Sequence, residues 1–243
     1  MDKILIAVPC FDMVHADFME SIVNLHKPEN AYFTKIKNTL INEARDIIAA
    51  NAIKAGFDWV AWFDSDMTFP PDTLVRLFDD AQDGKQMVSG LYFTRREKPK
   101  PVCYKKLWWD YDGELDCGAE NYYDYPDGVF ECAAVGFGCC LTSVELLKRV
   151  GDEFGVSPFS PLYGMGEDMA FCWRVNQIGE KVYCDSRIKC GHIGMKEYGA
   201  DDSVTATKAE WRDGKAYCGG CGKRIPAKIG AKFCHKCGKY IAW

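Results

Sequence analysis

Phe57-Asp58-Trp59-Val60-Ala61-Trp62-Phe63-Asp64-Ser65-Asp66 is the stretch on which the fold turns. Trp59 to Phe63 reads as a strand buried on both faces. It runs directly into two acids spaced i, i+2. In an extended chain that spacing puts both carboxylates on one face. Two hard oxygen ligands on one face suit Mg²⁺ or Mn²⁺, and such an ion in turn holds a diphosphate, the group a nucleotide-sugar carries. A solvated turn after a strand has the same composition, so the elements around the acids decide between the two readings.

Upstream, Lys3 to Val8 is a first strand ending at Pro9. Ile36, Leu40, Ile41, Ala44, Ile47, Ile48 and Ala52 follow three-and-four spacing, which predicts a helix from about Lys35 to Gly56. Downstream, Pro70-Pro71-Asp72 opens a helix to about Asp83, and Gln86 to Phe93 is a strand before a basic turn, Arg95-Arg96-Glu97-Lys98-Pro99. Alternating strands and helices imply an α/β, Rossmann-like domain with a mostly parallel sheet. Ligands of such sheets bind outside the carboxyl ends of strands, where Pro9 and Asp64 both lie.

The second half is less regular. Lys105 to Cys132 is rich in aromatics and acids, with Asp112-Gly113 and Asp127-Gly128 as turn signals, and reads as hairpins or a long loop. Ala133 to Leu141 is a glycine-punctuated strand, and Thr142-Ser143-Val144-Glu145 matches a capping box. Gly166 to Gly179 is a helix that begins with acids, where the helix dipole favours them. Lys181 to Tyr183 and Ile188 to Cys190 are short strands, and Met195 to Lys215 is polar and connecting.

At 243 residues and 48% apolar, the chain holds one sizeable domain and a small one. No apolar run reaches membrane-spanning length, so no membrane partner is expected. The start is too short in apolar residues for a signal peptide, which points to a reducing cytoplasm and away from a disulfide framework for the 13 cysteines. The net charge of −5 is uneven: from Lys208 onward nine Lys or Arg face two acids, whereas the remainder has 21 basic and 33 acidic residues. Such asymmetry suggests separate tasks.

Five motifs in order resemble those of GT-A glycosyltransferases, in particular family 2-like and phage-type members. They are Val8-Pro9-Cys10-Phe11-Asp12, Glu43-Ala44-Arg45-Asp46, Asp64-Ser65-Asp66, Gly166-Glu167-Asp168 and His192, and the resemblance spans about Lys3 to Gly194. Asp46 departs from the asparagine of the family motif. The resemblance implies donor contacts from Pro9, Phe11, Asp12, Arg45 and Asp64. It also implies a divalent metal, Mn²⁺ or Mg²⁺, on Asp66 and His192 with Asp64 close to it. Asp168, with Glu167 beside it, is the implied general base of an inverting transfer. As N-terminal helix acids serving the dipole, either would need no further explanation. Arg95 and Arg96 either reach the diphosphate or form a solvated turn. Trp108 and Trp109 either stack on the acceptor side or fill core.

Near the C-terminus, Cys218-Gly219-Gly220-Cys221 and Cys234-His235-Lys236-Cys237 form two Cys-x-x-Cys knuckles, the signature of a four-cysteine zinc ribbon. About 30 residues cannot hold a sufficient core alone, but structural Zn²⁺ contributes on the order of 10–16 kcal/mol. Lysines with interleaved aromatics make the ribbon either a nucleic-acid surface or a protein-contact module. The expected organisation is a GT-A domain over 1–205, a linker over 206–214 and a zinc ribbon over 215–243. The expected activity is metal-dependent transfer of a sugar from a nucleotide-sugar to an acceptor hydroxyl. One acceptor the phage-type resemblance implies is a hydroxymethylated base in DNA; the alternatives are a protein or glycan acceptor and a non-catalytic nucleotide-sugar-binding adaptor.

Overall fold

The computed structural model describes residues 2–194, 197–198, 206–212, 215–219, 221–223 and 240–242. The elements run β1 (Ile4–Cys10), α1 (Ala16–Asn24), β2 (Ala31–Lys37), α2 (Ile41–Lys54), β3 (Trp59–Phe63), β4 (Met67–Thr68), α3 (Thr73–Gln82) and β5 (Met87–Leu91). They continue with β6 (Cys103–Tyr111), β7 (Leu115–Asn121), β8 (Val129–Cys132), β9 (Ala134–Val135), β10 (Cys139–Ser143), α4 (Val144–Phe154), α5 (Glu167–Gln177), β11 (Val182–Lys189) and β12 (Gly191–Ile193). Four short strands follow: β13 (Glu197–Tyr198), β14 (Ala206–Arg212), β15 (Lys215–Cys218) and β16 (Tyr240–Ala242).

Seven strands form the central sheet, in the order β2-β1-β3-β10-β5-β11-β8. β2, β1, β3, β5 and β11 run one way, and β10 and β8 oppose them. The sheet is therefore mixed but mostly parallel, as the alternating elements imply. Alternation along β1 sorts its side chains between two cores. Leu5 and Ala7 pack with Ile48 of α2, Leu147 of α4 and Phe171 of α5, while Ile4, Ile6 and Val8 pack with Phe18 of α1 and Leu74 of α3. β3, β5 and β10 are buried along their whole length, which is why they read as unbroken apolar runs.

Three expectations need correction. The helix expected from Lys35 starts only at Ile41, because Ala31–Lys37 pairs in parallel with β1 as the edge strand β2. Asn38, in the left-handed region at φ 60°, turns the chain between the two, its N–H donating to the Phe11 carbonyl at 2.9 Å. The N-cap of α4 is Ser143, whose hydroxyl accepts from Leu146 N–H at 3.0 Å. Thr142 points into the sheet and accepts from the Trp62 indole at 2.8 Å. The two short strands expected around Lys181 and Ile188 are one strand, β11, with an irregularity between Asp185 and Lys189.

Among the described residues, no helix is long and apolar enough to cross a membrane.

Candidate active site

The site lies beyond the carboxyl ends of β1 and β3. Pro9, Phe11, Thr39, Ile41, Asp64 and Asp66 line a cavity of about 240 Å³ there. Asp12 follows the other face of β1 and, with Val8 and Cys10, lines a separate groove against α1.

Asp64 and Asp66 part company at the strand end. Asp64 takes its position from β10, since its N–H donates to the Gly138 carbonyl at 3.0 Å. Its carboxylate accepts from Arg45 Nη2 at 3.0 and 3.2 Å. Arg45 projects from α2, is 3% exposed, and lies over the Phe137 ring at 5.1 Å. Its Nε is 3.5 Å from Glu167 Oε1, so it joins β3 to the start of α5. Burial pushes Asp64 up to about 6, with Arg45 holding it lower and the neighbouring carboxylates adding to the rise. Burial opposes charge on Arg45, but Asp64, Glu167 and Asp168 outweigh it and raise its pKa. Among the described residues, the Nε and Nη1 of Arg45 have no hydrogen-bond partner.

Asp66 turns the other way, to His192 and Arg95. β12 pairs with β4 so that His192 sits opposite Met67, and the Ile193 N–H donates to the Asp66 carbonyl at 2.7 Å. His192 Nε2 lies 3.6 Å from Asp66 Oδ2. His192 Nδ1 lies 2.9 Å from the Phe93 carbonyl. A carbonyl accepts only, so Nδ1 carries a proton, and Nε2 faces Asp66 as a donor when it too is protonated and as a lone pair open to a metal when it is not. That is how second-shell contacts orient an imidazole for a metal. Arg95 Nη1 reaches the same Asp66 oxygen at 2.7 Å and the Ile193 carbonyl at 3.2 Å. Burial works against ionisation of Asp66, but His192 and then Arg95 outweigh it and lower its pKa.

Among the described residues, no set of three His, Cys, Asp or Glu could hold a metal. Asp66 and His192 could supply two ligands to a divalent ion, which would need its remaining ligands from elsewhere. Asp64 is turned to Arg45, whose Nη2 contacts both of its oxygens and leaves each a further lone pair.

Asp168 opens α5, and its Oδ1 accepts from the Met169 N–H at 2.7 Å. Its charge is felt by Asp64, Tyr92, Tyr104 and Glu167, which places it among them. Among the described residues it has no ion pair, whereas Asp64 and Glu167 share Arg45. Burial raises the Glu167 pKa, and Arg45 holds it back.

Tyr92 escapes sequence reading, since a Tyr at a buried strand end is ordinary core material. Its hydroxyl accepts from the Gly138 N–H at 3.2 Å, and its ring lies edge-on to His192 at 5.6 Å. A Cβ at position 136 would come within 1.9 Å of that hydroxyl, so Gly136 is required there. Asp46 holds a loop: one oxygen accepts from the Phe159 N–H at 2.9 Å, and Arg174 ties the Pro158 and Ser160 carbonyls of the same segment. An asparagine carbonyl would accept from that N–H equally, so the departure at 46 leaves this contact available.

Trp108 and Trp109 point to opposite faces of the β6–β7 hairpin. The Trp109 ring packs 5.4 Å from Trp173 of α5, and its indole N–H donates to the Tyr163 carbonyl at 2.9 Å. The Trp108 N–H donates to Asp116 Oδ1 at 2.9 Å. Of the four knuckle cysteines, Cys218 and Cys221 are described. They lie in a tight turn closed by Gly222 N–H to the Cys218 carbonyl at 2.7 Å and Cys218 N–H to the Lys223 carbonyl at 2.9 Å. Cys234 and Cys237 lie outside the described residues.

No protein-family model matches the chain, and no curated protein matches its sequence. Solved structures do match in fold. The crystal structure of A197 from STIV aligns with a TM-score of 0.56 at 16% identity, over 92% of this chain and 93% of that one. The crystal structure of GalNAc-T7 with UDP, GalNAc and Mn²⁺ aligns with a TM-score of 0.54 at 10% identity, over 80% of this chain and 44% of that one. These likenesses are of fold, and they agree with a GT-A-like arrangement.

Proposed function

We propose that the chain is a metal-dependent, inverting glycosyltransferase. The observation that carries this reading is the Asp66–His192 corner at the edge of the donor cavity, with the Asp168 carboxylate, which has no ion pair among the described residues, at the start of α5. The ends of β1 and β3, with Thr39 and Ile41, would cradle the nucleoside diphosphate, and the UDP and Mn²⁺ held by GalNAc-T7 support that choice of ligands. When bound, a divalent ion on Asp66 and His192 neutralises charge on the departing diphosphate. Asp168 takes the proton of the acceptor hydroxyl as its oxygen bonds to the anomeric carbon. The bond from that carbon to the diphosphate oxygen breaks, and its electron pair leaves with the nucleoside diphosphate. Arg45 holds Asp64 and Glu167 in place so that the strand end and the helix start face one cavity.

For the acceptor, a neutral hydroxyl-bearing molecule is the better reading. The hairpin next to α5 carries Asp110, Asp112, Glu114, Asp116 and Glu120 against Lys105 and Lys106, which repels a phosphate backbone. A DNA acceptor rests on the phage-type resemblance and on the basic segment from Lys208 onward. We place the domain at 1–205 and a zinc ribbon on Cys218, Cys221, Cys234 and Cys237 at 215–243, as a stability or protein-contact module; the 206–214 segment between them carries β14, which pairs with β15 and β16 and so belongs with the ribbon rather than to a free linker.

The test is turnover of a nucleotide-sugar panel with Mn²⁺. Donor hydrolysis lost in Asp66→Ala, and transfer lowered about 10²–10⁴-fold in Asp168→Asn, are the expected results. No turnover of any donor would leave an adaptor.

A further inference from the structure

The β6–β7 hairpin has two unlike faces. A bulge between Tyr104 and Lys106 brings Tyr104, Leu107, Trp109 and Tyr111 to one face, and Trp109 packs that face on α5 and on Tyr163. The opposite face carries Lys106, Trp108 and Asp110, paired across the strands with Glu120, Gly118 and Asp116. Apart from Gly118, all of these are exposed.

On that outward face Trp108 is 42% exposed yet fixed. Its indole lies across position 118, where a Cβ would come within 2.4 Å of the ring, and its N–H is held by Asp116. One ring face is thus pinned to the hairpin and the other meets solvent. Fixing a large exposed side chain has an entropic cost that pre-organisation for a ligand would offset. Asp110 and Asp116 stand directly opposite one another, and among the described residues neither has an ion-pair partner. Like charges so placed destabilise a sheet. Lys106 does not relieve them, because it pairs with Glu120 at 3.7 Å.

We propose that this outward face is a carbohydrate-binding platform that docks a neutral glycan chain beside the transferase site. Calling that chain the acceptor rests on the glycosyltransferase reading; the platform does not. The flat apolar face of a sugar ring stacks on the free face of Trp108. Its hydroxyls donate to the Asp110 and Asp116 carboxylates in charge-assisted hydrogen bonds. The same carboxylates turn away polyphosphates.

Affinity electrophoresis of the full chain through gels containing dextran, xylan or β-1,3-glucan tests this. Retardation by at least one polysaccharide is expected. It should weaken about tenfold, or about 1.4 kcal/mol, in Trp108→Ala and in Gly118→Ala. The second variant keeps the indole but pushes it off its seat. Retardation by none of the three, or retardation of both variants as strong as that of the unaltered chain, would overturn the platform. Capture of polylysine without any glycan retardation would also overturn it, in favour of a cationic peptide. Hydrolysis of nucleotide-sugars by the unaltered chain is measured alongside. Retardation without hydrolysis leaves the platform standing and removes the transferase; hydrolysis without retardation does the reverse.

Discussion

Asp64 and Asp66 leave the same strand end two residues apart and are about equally exposed, yet one is clamped by a buried arginine and the other meets a half-exposed one. Arg45 grips Asp64 from below with Glu167 on its other side, and its guanidinium is 3% exposed. Asp66 meets His192 and the half-exposed Arg95 at the cavity edge. A buried charge pair resists removal of either partner, because the survivor is left unpaired away from water. A corner open to solvent tolerates exchange of partners, since water covers the gap. The clamp therefore suits alignment, and the corner suits reversible ligand binding.

The widest break in that comparison is Arg45→Ala, which takes the shared buried cation from the partly exposed Asp64 and Glu167 and opens a hole beside Phe137. It should lower stability by about 3–5 kcal/mol, read as the urea midpoint. A loss below about 1 kcal/mol would show that the clamp is hydrated rather than closed. Next comes His192→Ala, which should weaken Mn²⁺ binding, titrated with a nucleoside diphosphate present, by about 10²-fold. Its effect on the urea midpoint should be smaller than that of Arg45→Ala.

A third experiment asks whether burial of acids alone makes a clamp. Asp80 on α3 faces the buried Asp185 of β11, with Arg187 reaching both. Burial, then Asp185, pushes Asp80 up to about 6. The folded state thus holds a proton that the unfolded state has released between about pH 4 and 6, and stability from this group falls as pH rises through that window. Asp80→Asn should be more stable than the parent by about 1 kcal/mol at pH 8, with the gain gone by pH 4, as followed by thermal unfolding. A gain independent of pH would mean that packing, not charge, sets it. The smallest effect belongs to the corner. Arg95→Ala removes a competitor from Asp66 and should tighten Mn²⁺ binding without nucleotide by about two- to threefold. Weaker binding would assign Arg95 to the ligand side.

The acids of the site are legible in the sequence because each sits at a boundary between apolar and polar chain. Asp64 and Asp66 end a run of five buried residues, and Glu167 and Asp168 open a helix. What those acids touch is not legible. His192 reaches Asp66 through the pairing of two strands, β4 and β12, that are two and three residues long, too short for any periodicity. Arg45 lies on a helix whose face is otherwise alanine and isoleucine, and nothing local distinguishes a buried arginine from a solvent-facing one. β2 is masked for a related reason. Its Lys35 and Lys37 flank Ile36, and as an edge strand it lacks the continuous apolar signal of β3 or β5. On the hairpin, the sequence shows two adjacent tryptophans, but only the register with Gly118 and Cys117 separates the inward ring from the outward one.

β10 enters the sheet between β3 and β5, antiparallel to both, and its preceding residue supplies the carbonyl that receives the Asp64 N–H. A ribosome that has just released Phe63 must add 76 more residues to reach Cys139, about 4–15 s at elongation rates of about 5–20 residues/s. Through that interval the DSD strand has an open edge and Asp64 lacks the amide contact that aims it. During synthesis, β3 thus waits with an unpaired edge on the side that β10 later fills. The half of the site that reads most plainly in sequence is among the later parts to be built.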